Sequence, residues 1–194
     1  MSLLPYLVAQ LPALAFTAAP PLGVDEFGGL ARRFLPAADA DFLDRIRLVP
    51  PADEEERREA AAGSTVLSRF YDWETELRNE WTRLRAPKLS REAAADLRPG
   101  APDYSARAAA RAALSAASPL EGEILLERGR WDRIDALKTG HLFDLETLVA
   151  YSLQLLILHR KSAFVPDRGA RAFEGLRRTL LDSAPDVQVR RTES

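Results

Sequence analysis

LETLVAYSLQLLILHRK, residues 145–161, is the stretch from which the fold class of this chain can be read. Leu145, Leu148, Val149, Tyr151, Leu153, Leu155, Leu156, Ile157 and Leu158 place apolar side chains on nearly every side of a helix. A helix that is apolar all round belongs in an interior. Asp144 stands where an N-cap is needed, and His159, Arg160 and Lys161 put positive charge at the end the helix dipole favours. The apolar run from Leu148 to Leu158 is about half of the roughly 20 residues needed to cross a bilayer. The segment therefore predicts a buried core helix over 145–161, not a membrane span.

Two long helices are expected around it. Ser118-Pro119-Leu120-Glu121 is a capping box with proline at the first helical position. Leu120, Ile124, Trp131, Ile134 and Leu137 follow on one face, and Gly140 supplies the stop, which predicts a helix over 119–138. Ser64 caps a run in which Val66, Phe70, Trp73, Leu77, Trp81 and Leu84 recur at steps of three and four. This predicts a core helix over 64–86, ended by Pro87, with Glu74 and Arg78 paired on its exposed side.

The remaining segments are shorter. Residues 24–35 and 39–48 read as amphipathic helices separated by Pro36, and DEEERREAAA (53–62) lacks an apolar stripe and reads as a solvated helix or connector. Asp103 caps an alanine-rich helix reaching about residue 117. A last amphipathic helix starts at Asp167, and 186–194 reads as a frayed tail. No segment alternates with period two. The prediction is an all-α, irregular multi-helix bundle in a single domain, 1–194. Pro99-Gly100-Ala101-Pro102 is the strongest breaker, and a hinge at 98–103 would split the bundle into two lobes.

Composition narrows the function classes. The 194 residues carry a net charge of -2, with 46% hydrophobic and 29% charged side chains, as a globular protein does. Without cysteine there is no disulfide framework, thiolate metal site or cysteine nucleophile. The opening MSLLPYLVAQLPALAF is apolar but has no basic start, and Pro5 and Pro12 interrupt it, so a soluble, cytoplasmic protein is expected.

Motifs for catalysis are missing. His141 and His159 stand apart from any cluster and read as a helix-junction cap and a C-terminal dipole partner. No phosphate-binding glycine motif, nucleophile elbow or zinc-protease motif occurs. No cofactor and no metal are expected, and the charge pattern gives no nucleic-acid signal. Carboxylates converging from separate helices are the one remaining route to acid-base chemistry. Arg78, Arg83 and Arg85, and Arg128, Arg130 and Arg133, form two basic clusters suited either to internal pairing or to an acidic partner. Trp73, Trp81 and Trp131 read as core anchors, or as interface anchors where they protrude.

Three stretches together resemble a family. PYLVAQLPALAF, then Glu76 to Trp81 with Leu84-Arg85, then Leu125 through RGRWDRIDAL and HLFDLETLVAYSLQLLILHRKSAF are similar to the small uncharacterised proteins encoded in bacterial V/A-type ATPase operons. The resemblance implies a non-catalytic accessory subunit or assembly component of a proton- or sodium-transporting rotary ATPase. Its partners would be subunits of the central stalk or membrane ring. It also suggests a relation to the C subunit, which seats the stalk on the ring, although that subunit is a longer funnel of repeated helical units and no internal repeat occurs here. The chain would then sit at the inner face of the plasma membrane through the ATPase, without inserting. The contact or motif positions are Arg78, Arg85, Arg128, Arg130, Trp131, His141, Asp144, Tyr151 and Arg160. The alternative from the residues alone is a free-standing helical regulator or binding module with a groove between two lobes.

Overall fold

A computed structural model describes residues 3–89 and 97–164, and every regular element among them is helical. In chain order these are α1 (Leu4–Gln10), α2 (Val24–Phe34), α3 (Ala37–Asp44), α4 (Glu54–Ala60), α5 (Thr65–Arg85), α6 (Tyr104–Leu114), α7 (Pro119–Lys138) and α8 (Leu145–Ser162). A 3-10 turn over Ala86–Leu89 follows α5, where Pro87 prevents the helix from continuing. The chain divides into two compact units, Met1–Ser162 and Ala163–Ser194, so the 98–103 loop lies inside the first unit. The helix expected from Asp167 and the 186–194 tail lie outside the described residues.

Helix α8 occupies the middle of the first unit, as its sequence requires. It packs against α1, α2, α3, α5 and α7, with Leu148, Val149, Ala150, Leu153, Ile157 and Leu158 fully buried. Asp144 caps it by accepting from the Thr147 amide at 2.9 Å. The other expected caps also form: Ser64 accepts from the Leu67 amide, Asp103 from the Ser105 and Ala106 amides, and Ser118 from the Glu121 amide. Glu121 reaches back one residue further than a capping box would, to the Ala117 amide at 3.0 Å. Gly140, with φ +95°, takes the left-handed conformation after α7.

Packing between α6 and α7 depends on small residues. Ala106, Ala110 and Ala113 of α6 are buried, and a Cβ added at Gly122 would lie 2.9 Å from the Ala113 carbonyl oxygen. One added at Gly129 would lie 2.7 Å from the Ala109 Cβ. The buried alanines therefore serve close approach. Gly122→Ala is expected to destabilise by about 1–3 kcal/mol in urea denaturation, although alanine is the better helix former by up to about 1 kcal/mol. A stabilised variant would show that α6 can move aside freely.

Residues 53–62 take the helical of the two readings open to them: Asp53 caps α4 through the Glu55 and Glu56 amides, and its residues are exposed except Arg57, which is only 7% exposed. Two sequence expectations need correction. On α7, Trp131 and Ile134 are buried but Leu120 and Ile124 are each 37% exposed. The α6 contact instead takes the Gly122 and Leu126 side of that helix, which the apolar stripe does not mark. Finally, Glu74 is not on the exposed side of α5. It is wholly buried, with Thr75, Glu76, Asn79 and Glu80 buried beside it.

Candidate functional site

That buried polar side of α5 is where the charged residues of three helices meet. Glu74 takes a two-pronged contact from Arg130 of α7, Nε donating to Oε2 at 2.8 Å and Nη2 to Oε1 at 2.9 Å. The third nitrogen of Arg130, Nη1, donates to Glu127 Oε1 at 2.9 Å, so one planar guanidinium contacts two carboxylates, while Glu127 Oε2 is buried with no hydrogen-bond partner. Arg160 of α8 adds an ion pair to the same Glu127 oxygen at 2.9 Å, and Arg78 donates to Glu74 Oε1 at 3.2 Å. Both carboxylates have 0% exposure.

A second layer continues along α5. Arg83 donates to Glu76 and to Glu80, each at 2.7 Å, and Arg107 of α6 approaches Glu80 at 3.6 Å. Asn79 donates to Glu76 Oε2 and to the Arg98 carbonyl and accepts from the Arg98 amide, which fastens the Pro99 loop to α5.

The electrostatics follow from burial. Burial pushes the Glu127 carboxyl above its ordinary range, against the pull of Arg130 and Arg160. For Arg130, burial alone would lower the pKa, but Glu74 and then Glu127 outweigh it and raise it further. The converging carboxylates left open by the sequence are therefore present, yet both are sealed from solvent and held by arginine. Among the described residues, no three His, Asp or Glu side chains gather into a group that could hold a metal ion.

The nine candidate positions separate into three groups. Arg78, Arg130 and Arg160 come together in the layer just described. Arg128, Trp131, Tyr151, His141 and Asp144 fasten chain segments: Trp131 meets Phe16 edge-to-face at 5.7 Å, and the Arg128 guanidinium lies 5.2 Å from the same ring while pairing with Asp132. The Tyr151 hydroxyl donates to the Pro12 carbonyl at 3.1 Å, and burial pushes its pKa up to about 12. His141 Nδ1 meets Asp144 Oδ2 at 2.5 Å beside the α8 cap. Arg85 stands alone, exposed, with its guanidinium 5.8 Å from the Trp81 ring. His159 stands in the basic last turn of α8, and its Nε2 also meets the Leu22 carbonyl at 2.8 Å, while Lys161 bonds the Phe16 carbonyl. Segment 11–22 is thus tied to α7 and α8 by five side chains, which meet it at Pro12, Phe16 and Leu22.

Sequence reading missed Glu146. From the first turn of α8 it accepts from the Ser64 hydroxyl, the Thr65 amide and hydroxyl, and the Val66 amide, capping α5 from another helix. Burial works to raise its pKa, but these donors outweigh it and hold the carboxyl below its usual range. A lowered folded-state pKa gives stability that is present above the ordinary value and lost as pH falls through the folded one. Glu146→Ala should therefore cost about 2 kcal/mol at pH 7, and the deficit should shrink in denaturation as the pH falls below the ordinary glutamate value of 4.5 and through the lowered folded-state value. The spacing of α8 alone could not indicate this, since the donors lie about eighty residues away.

No protein-family model, curated protein or solved structure matches this chain. Among the described residues, no helix is long and apolar enough to cross a membrane.

Proposed function

We propose that this chain is a non-catalytic accessory or assembly component of a bacterial V-type ATPase, attached through the turn between α7 and α8. One observation carries the docking element. In the motif block 125–164, Arg130, Trp131, His141, Asp144, Tyr151 and Arg160 all engage other parts of the same chain, whereas Leu142 and Phe143 are 71% and 60% exposed, side by side. Adjacent large apolar side chains held on a rigid turn are suited to an interface anchor. The non-catalytic part of the reading draws on the two sealed carboxylates, which no substrate reaches without opening the helix layer.

The partner surface would belong to the central stalk or the membrane ring, as the family resemblance implies. A C-subunit-like role, coupling stalk to ring, is the finer form of this proposal. The test is capture: affinity-tagged chain from its native host should bring down stalk or ring subunits at low salt. Recovery of the tagged chain without any ATPase subunit would remove the proposal.

A further inference from the structure

The arginine layer opens on one side into a cleft of about 370 Å³ whose lining includes Arg78, Arg98, Arg130, Arg160, Trp81 and Leu126. The volume is at the lower end of those that hold small molecules, roughly 300–1,000 Å³. Its charges do not balance. Arg78, Arg130 and Arg160 share the buried carboxylates of Glu74 and Glu127. Arg98 is different: it makes no ion pair among the described residues, and its Nη1 is buried without an acceptor. Among the described residues Glu123, exposed at the lining, is the one further carboxylate there, so four described guanidinium groups face three described carboxylates.

Two of the paired arginines, Arg78 and Arg160, also retain donors. Arg78 uses Nε alone toward Glu74, and Arg160 uses Nη2 alone toward Glu127, while about a third of each side chain remains open to solvent. Guanidinium groups present their nitrogens in a planar fork that matches the oxygens of a phosphate or carboxylate. Leu77, Leu126 and Trp81 line the same cleft with apolar and aromatic surface. Taken together, excess cation, free planar donors and an aromatic side chain point to one ligand chemistry.

We propose that this cleft binds a small organic anion, a phosphate or carboxylate group carried on a ring or other apolar body. The anionic head meets Arg98, Arg78 and Arg160, with Arg130 beneath held in place by its two carboxylates, and the body packs on Trp81. This site stands apart from the α7–α8 turn and does not rest on the ATPase reading.

The test uses the full chain with inorganic phosphate and phenyl phosphate as probes, followed by thermal unfolding and tryptophan fluorescence against chloride at matched ionic strength. Wild type should be stabilised by both probes, with phenyl phosphate binding the tighter and changing the fluorescence. Arg98→Gln removes a charge without breaking an ion pair, and should weaken binding by about tenfold. Glu123→Gln removes the competing carboxylate and should tighten it, an outcome that a damaged fold cannot imitate. Arg111→Gln, on the exposed face of α6, should match wild type. Wild type unaffected by either probe, or Arg98→Gln binding as tightly as wild type, overturns the proposal.

Discussion

Arg130→Met should destabilise the protein by about 3–5 kcal/mol, because it strips a shared partner from two carboxylates that have no water to turn to. Glu74 would keep only the single Arg78 contact and Glu127 only Arg160, both from side chains about a third exposed. At this chain length each kcal/mol is worth roughly 2–4 °C in melting temperature, so a fall of about 6–20 °C is expected. Removing Glu74 together with Arg130, as Glu74→Met with Arg130→Met, should recover part of the loss, since an apolar pair leaves less uncompensated charge buried. The pH dependence has a definite sign. Glu127 already has a raised folded-state pKa, so its contribution is full below the ordinary glutamate value of 4.5 and lost as pH rises through the folded value. Losing Arg130 raises that pKa further, and the deficit of the variant should narrow as the pH falls from neutral toward the ordinary glutamate value of 4.5. A variant within about 1 kcal/mol of wild type, the range of exposed ion pairs, would mean that the layer is solvated.

Joint substitution Leu142→Ser and Phe143→Ser should have the opposite profile, with almost no effect on folding and a large one on association. Both side chains are exposed, so the stability change should stay within about 0.5 kcal/mol. An interface anchor is worth about 2 kcal/mol or more, and that corresponds to roughly thirtyfold in affinity. Capture of ATPase subunits should therefore fall below detection while the melting temperature holds. Tyr104→Ser is the matched control, being 88% exposed on α6 and away from the motif block. If the double variant captures as much as wild type, the turn is not the docking element.

The helices were legible because their signals are local. Ser64, Asp103, Ser118 and Asp144 each mark a helix start within four residues of the amides they satisfy. The all-apolar circumference of α8 likewise required a central position before any neighbour was known. The charged layer was not legible, for the converse reason. Glu74 and Arg78 at i, i+4 look the same in sequence whether the helix face meets water or α7, and water is the commoner case. What decides it is the side of α7 that the small residues Gly122 and Gly129 allow α6 to approach. Arg130 and Arg160 were singled out as motif positions, but their acceptors Glu74 and Glu127 were not: Glu74 lies 56 residues from Arg130 and leaves no periodic trace, and Glu127, three residues from Arg130, carries no sign in the sequence that the pair is buried. The exposure of Leu142 and Phe143 depends in the same way on a turn whose length, unlike its surroundings, is written in the sequence.

The proposed function can be tested most directly from the opposite side, by purifying the V-type ATPase from the native host through a tag on a catalytic subunit and quantifying this chain by mass spectrometry. It should be present in fixed stoichiometry with the central-stalk subunits and should diminish as salt is raised. Its absence at low salt, from a preparation that retains the stalk and the membrane ring, would contradict the assignment.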